Sequence, residues 1–261
     1  MKCFIPFLFI VCALFLFGNA GAQEIPISTE LTSNAEVFEV KRANSQGLRV
    51  TRINFGNYRI TDGKKGFVKN KGGSNFFGTH SESESKQKID FAFTNGTGEI
   101  WVETFQFSRT DQRNSFRLND NIQIGENKVL SHFDSLYAQI VENGETSWLL
   151  KMDLVQITFP NGFAGILSNP AESRVFEMMT VFTEDTKSRM FPMPARGLVF
   201  FSGQEEVAAL QYTGLGSKGM RQKKVWLKNN LEPKEKMAIA ASMAAFLLKS
   251  MDYIMPGGGM L

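Results

Sequence analysis

The 261-residue chain carries 29 basic and 26 acidic residues, a formal charge of +3, and 43% hydrophobic residues that include 24 phenylalanines. So small a net charge excludes capture of nucleic acid or an anionic membrane by bulk electrostatics. The apolar content excludes a disordered chain.

Lys2 opens the N-terminus, the apolar run Phe4–Phe17 follows with only Pro6 interrupting it, and Ala20-Gly21-Ala22 supplies small residues for a cleavage site. This is the pattern of a secretory signal at 1–22, with cleavage before Gln23. The run is short of the ~20 residues that span a bilayer, and no transmembrane span is expected after cleavage. Cys3 and Cys12 leave with the signal, so no disulfide or cysteine ligand remains, and losing Lys2 lowers the charge from +3 to +2. The mature protein, 23–261, is expected to be one β-rich domain in the periplasm, cell envelope or extracellular space.

Alternation with turn punctuation dominates the mature chain. Val37–Lys41, Leu48–Ile53, Ile89–Phe93 and Ile100–Phe107 read as strands. Asp62-Gly63, Asn95-Gly96, Asn143-Gly144 and Asn161-Gly162 suit the left-handed backbone of tight turns. Gly63–Lys88, with GKKG, NKGGSN and SESESKQK, reads as a surface loop or hairpin tip. Further strands are predicted over Leu136–Val141, Trp148–Phe159, Phe163–Leu167, Val175–Phe182, Leu198–Phe201, Val207–Tyr212 and Lys224–Leu227. Pro170, Pro192 and Pro194 mark turns or edges. Short strands without helices between them predict an antiparallel barrel or sandwich.

The chain closes with a helix predicted over about 233–255. Pro233 suits its first turn, Glu232 and Glu235 lie near its positive end, and Pro256-Gly257 stops it. From Met237 to Leu248 only Ser242 is polar, so the helix is apolar on nearly every side and must be buried in protein or lipid. It can cap a sheet, thread a closed barrel or insert into a membrane. A series of strands ending in LEPKEKMAIAASMAAFLLKSMDYIM resembles the tubby-like or LURP-one-related architecture, in which the closing helix fills a β barrel. That resemblance implies membrane or lipid association, but no phosphoinositide-binding motif can be matched to particular residues here.

Catalytic and metal motifs are weak, and no catalytic residue, metal or cofactor is assigned. Gly214-Leu215-Gly216-Ser217-Lys218-Gly219 matches GxGxxG, yet MRQKKVWLKNN follows and reads as a strand, whereas a dinucleotide site needs a helix there. His80 and His132 are the only histidines. His132, Asp134 and Ser131 or Ser135 share a short stretch but lack evidence of triad geometry. Glu82, Glu84, Asp90 and Glu103 offer carboxylates for an acid–base pair with nothing to fix their separation. The densest basic segment supplies the candidate ligand-binding residues Lys218, Arg221, Lys223, Lys224 and Trp226, which also suit a lysine-protected edge strand.

The resulting expectation is an exported, non-catalytic binding or structural protein with an envelope, glycan, lipid or protein partner and no nucleic-acid ligand. The alternatives are an extracellular carboxylate-dependent hydrolase, or a peripheral membrane protein that uses the terminal helix.

Overall fold

A computed structural model describes residues 24–43, 48–75, 79–119, 122–124, 126–183, 194–214 and 222–249. The expected leader, Lys218, Arg221 and the predicted helical residues beyond Lys249 lie outside them. In chain order come helix α1 (Thr29–Asn34), strands β1 (Ala35–Glu39), β2 (Lys41–Ala43), β3 (Arg52–Phe55), β4 (Tyr58–Lys65), β5 (Lys69–Ser74), β6 (His80–Thr94) and β7 (Glu99–Arg113). Then follow β8 (Phe116–Asn119), β9 (Ile122–Ile124), β10 (Lys128–Glu142), β11 (Glu145–Asp153), β12 (Phe163–Asn169) and β13 (Arg174–Phe182). Strands β14 (Arg196–Ser202), β15 (Glu205–Thr213) and β16 (Lys224–Lys228) lead into helix α2 (Pro233–Lys249).

One antiparallel sheet runs in the order β1-β16-β15-β14-β13-β12-β11-β10-β7-β6-β4-β3-β2, and β8 pairs with β9 separately. Its two ends are consecutive in the chain. β1 pairs with β16, β2 pairs with β3, and only Val40 separates them, so one bent segment bridges the sheet into a nearly closed barrel. Val40 N donates to Lys223 O at 2.9 Å across that seam. Closure removes the two end edges of this path, which otherwise invite aggregation, while β5, off the path, pairs only with β6.

A barrel with this many strands is wider than an eight-stranded one, whose own side chains fill it. Helix α2 occupies the space. Every residue from Met237 to Leu247 is buried, and the helix packs against β4, β7, β10 and β15, which lie around the inner wall. Alanines at 238, 240, 241, 244 and 245 let the wall approach on several sides, while Tyr212 meets Phe246 edge to face with centroids 5.2 Å apart. Ser242 hides its hydroxyl by donating to Ala238 O at 2.8 Å. No side of this stretch is left for a membrane, and no described helix is long and apolar enough to cross one.

Both ends of α2 are fastened by polar groups. At the start, Glu235 accepts from Arg174 Nε at 2.6 Å and from Glu232 N at 3.2 Å. At the end, the fully buried Lys249 donates to Gln87 Oε1. A cation in the last turn also complements the negative end of the helix dipole.

Three expectations need correction. Asp62-Gly63 is not a turn: both residues sit inside β4 beside a register shift, where Asp62 Oδ1 accepts from Gly63 N at 2.8 Å. The turn lies earlier, at Gly56-Asn57, with Gly56 at φ +58°. Gly63–Lys88 is not a loop: of its two expected readings the hairpin forms, because β5 pairs antiparallel with the first half of β6 and the two extend the sheet beyond the helix-filled barrel. With little apolar core to cover there, serines and charged residues serve as strand residues. The strand predicted over Trp148–Phe159 ends at Asp153, whose Oδ1 accepts from Val155 N at 2.9 Å, and a 3-10 turn over Gln156–Thr158 follows. The Asn95, Asn143 and Asn161 turns form as expected, with Gly96 at φ +90°, Asn143 at +53° and Asn161 at +56°.

Overpacking distinguishes an enclosed helix from one that lies on a sheet. Replacing Ala240, Ala241, Ala244 or Ala245 singly with leucine is expected to cost about 1–3 kcal/mol each. Urea unfolding checks this, and one position that accepts leucine without loss identifies an open side.

Candidate functional site

Of the predicted basic patch, Lys223, Lys224 and Trp226 are described, and these three do not form an open shared surface. Alternation along Lys223–Lys228 sends Val225 and Leu227 into the barrel core and Trp226 outward into a second cluster with Ile25, Leu31, Ala195, Val199 and Ala209. Trp226 is 1% exposed and therefore cannot contact a ligand as expected. Its cover is the segment 24–34, which straps the outside of β14–β16. Ile25 N donates to Gln211 Oε1 at 3.0 Å, Ser28 N donates to Glu206 Oε2 at 2.7 Å, and Asn229 N donates to Asn34 O at 2.9 Å. Ser28 caps α1 through Leu31 N at 3.2 Å.

The lysines serve the same strap. Lys224 pairs with Glu24, and Lys228 pairs with Glu30 and Glu205. The two carboxylates raise the Lys228 ammonium above its ordinary value. Lys223 behaves differently: its Nζ donates to Tyr212 O at 2.7 Å, and burial, with the Arg42 charge adding to it, lowers its pKa to about 8.

The remaining sequence candidates are dispersed. His132 Nδ1 lies 2.8 Å from Thr110 Oγ1, while Asp134 accepts from Gln106 Nε2 at 3.1 and 3.3 Å on its two oxygens. Burial raises the Asp134 pKa. Ser131, one position out of phase, donates to Asp111 at 2.9 Å, so these groups form no triad. Among the described residues no three His, Cys, Asp or Glu side chains are grouped to hold a metal. β15 and β16 pair antiparallel directly, so the strand after the glycine-rich segment replaces the helix that a dinucleotide site needs. Residues 215–219 of that segment lie outside the described part.

The structure gathers a different surface on the outside of β6, β7, β10 and β11. Lys88, Phe105, Tyr137 and Lys151 lie in one register row across the four strands. The next outward-facing row along places Lys86 opposite Phe107, and the one beyond places Arg109 opposite Phe133. Phe105, Phe133 and Tyr137 are 43%, 44% and 37% exposed. Phe107 and Phe133 have centroids 5.9 Å apart, and Lys86 Nζ stands 5.3 Å above the Phe107 ring. Trp101 lies on the same face further along β7 and is also exposed. Clustered exposed rings of this kind mark interaction sites more often than scattered ones do.

Most charge on this face is paired, with Lys151 standing outside the ion pairs. Lys86 contacts Glu84 at 2.6 Å, Lys88 contacts Glu103 at 3.1 Å and Asp90 at 3.3 Å, and Arg109 contacts Glu82 at 2.9 Å and Asp111 at 3.7 Å. The carboxylates considered for acid–base chemistry are thus ion-paired on an open sheet. Between Phe105 and Tyr137 lies an open hollow of about 210 Å³, bordered also by Lys88, Glu103, Thr104, Ala138 and Gln139. The sequence does carry one trace of this surface. Over Ile100–Phe107 both strand parities are apolar, Ile100 and Val102 on one and Trp101, Phe105 and Phe107 on the other, although only one face meets the barrel core.

A second hollow, of about 280 Å³, sits at the barrel mouth where α2 enters. Ile100, Ile140, Trp148 and Met237 give it an apolar floor, and Glu99, Glu142 and Lys234 stand at its border. No family model, curated protein or solved structure matches the chain.

The depressed Lys223 value fixes the sign of one pH effect. Between about 8 and 10.5 the unfolded chain holds the lysine proton that the folded state has released, so this group's contribution to stability rises with pH across that window. The stability advantage of Lys223→Met over the parent should therefore be largest near pH 7 and shrink towards pH 10. Urea midpoints that stay equally separated at all pH values would contradict the assignment.

Proposed function

We propose that this is an exported, non-catalytic binding protein that recognises its partner with the outer aromatic face of β6, β7, β10 and β11. The observation that carries this reading is the filled barrel. Helix α2 takes the interior in which a wide barrel would otherwise hold a ligand, which leaves recognition to the outside. Export draws its support from Lys2, the Phe4–Phe17 run and Ala20-Gly21-Ala22. A protein handled outside the cytoplasm without cysteines in its mature chain relies on its core and its ion-paired strap for durability.

A hydrolase reading has one supporting feature, the mouth cleft bordered by Glu99 and Glu142. Carboxylates that flank a bound polymer can act as acid and base. Thr61 Oγ1 already donates to Glu99 at 3.2 Å, which gives that carboxylate a structural partner on the sheet.

Co-sedimentation with envelopes of the exporting host tests the binding reading. The mature protein should sediment with them, and Phe105→Ser/Phe133→Ser should stay in the supernatant while keeping its thermal midpoint. Equal sedimentation of the two proteins would remove this face as the recognition surface. Polymer hydrolysis that disappears in both Glu99→Gln and Glu142→Gln would replace binding with catalysis.

A further inference from the structure

Resting on the reading of this face as the recognition surface, we infer that its ligand is an uncharged polysaccharide, with one pyranose unit seated in the hollow between Phe105 and Tyr137.

The electrostatics of the face narrow the ligand class. Lys86, Lys88 and Arg109 each already engage a carboxylate of the same face, and Lys151, which stands outside those pairs, is outweighed by Glu82, Glu84, Asp90, Glu103 and Asp111, so the surface presents no cationic field. A polyanion or an anionic membrane gains little from such a surface, because it must compete with built-in carboxylates and meets Glu82, Glu84, Asp90 and Glu103 as it approaches. An apolar partner would have to strip water from those same ion pairs. A hydroxyl-rich, uncharged chain meets neither cost.

The hollow has the two kinds of surface that a pyranose presents. Phe105 and Tyr137, directly opposite each other on β7 and β10, border it with exposed rings. The negative face of an aromatic ring attracts the polarised C–H groups of a sugar, the same electrostatics that attracts ring edges and cations. Lys88, Glu103 and Gln139 line the hollow as well, with Lys88 Nζ paired to Glu103 Oε2. A sugar hydroxyl can donate to Glu103 while accepting from Lys88, and charge-assisted hydrogen bonds of this type are stronger than neutral ones. The ion pair at 3.1 Å holds both groups in place before the ligand arrives, which lowers the ordering cost of binding.

The size and openness of the site favour a polymer over a free small molecule. About 210 Å³ falls below the ~300–1,000 Å³ that encloses drug-sized ligands, and the hollow opens onto the outer wall of the barrel. Neighbouring units of a chain can continue over Phe107 and Phe133 in one direction along the strands and towards Trp101 in the other. Outward-facing residues two apart on a strand are spaced by roughly 6.6–6.8 Å, so the rings offer successive contacts.

The test titrates the mature protein with neutral hexasaccharides of the cello, xylo, manno and chito series, read by calorimetry and by the fluorescence of exposed Trp101. At least one series should bind saturably with an affinity that is nearly independent of salt. Phe105→Ala and Tyr137→Ala should each weaken it by about tenfold or more, equal to a lost contact of about 1.4 kcal/mol. Glu103→Gln should weaken it too, while unchanged thermal midpoints show that all three variants fold. Failure of every neutral series to bind overturns the inference. So does saturable binding only to anionic vesicles or polyanions, or self-association abolished by Phe105→Ala. If envelope sedimentation still depends on Phe105 and Phe133 while no sugar binds, the recognition face stands and only the carbohydrate assignment falls.

Discussion

Filling a wide barrel is the constraint on which this structure depends. A sheet of this many strands, bent round until β1 and β2 become neighbours in one chain segment, encloses more space than its own inward side chains fill. A void of that kind forfeits dispersion contacts along its whole lining. Helix α2 supplies the missing volume, and its alanine-rich surface is the counterpart of bulky wall residues such as Phe55, Phe91, Phe93, Trp148, Phe176 and Tyr212. Small residues on the helix and large ones on the wall interdigitate, as close packing requires. This explains why a helix apolar on every side belongs in a protein with no described membrane-spanning helix.

A buried rod also needs fixed ends. Arg174 and Glu232 hold Glu235 in the first turn, and Gln87 receives Lys249 at the last, so registration along the barrel axis rests on polar contacts that sliding would break. Outside, the segment 24–34 does for β14–β16 what α2 does within. It covers Trp226 and Val199 with Ile25 and Leu31, and consumes Lys224 and Lys228 in ion pairs. At Gly197 an added Cβ would stand 2.4 Å from Ile25 Cδ1, so the strap and the barrel wall are in direct contact. The resulting molecule has a filled interior and one fastened outer wall, while the β6–β7–β10–β11 face gathers several exposed rings on one open surface.

That division of labour explains which sequence signals misled. Lys224 and Lys228 look like part of a binding patch because sequence does not reveal that residues about 200 positions earlier return to neutralise them. The serine and glutamate alternation of Ser81–Ser85 looks like loop composition because strand propensity is judged against a core, and the outer halves of β6 and β7 have little core to cover. Their register with each other holds them straight. Phe105, Phe133 and Tyr137 lie apart in the sequence and meet only because β7 and β10 pair across the β8–β9 insertion.

The sequence by itself determined the strand content, the hairpin turns at Asn95 and Asn143, the left-handed turn at Asn161, and the burial of the closing helix. These follow from local periodicity, from the backbone freedom of single residues, and from a helix with almost no polar side. Only the tertiary structure decided that the helix lies within a barrel, that Trp226 is roofed by the N-terminal strap, and that three separated rings share one open face. Each of those depends on which strands become neighbours, a long-range choice made by the closure of the whole sheet and carried by no local stretch of the chain.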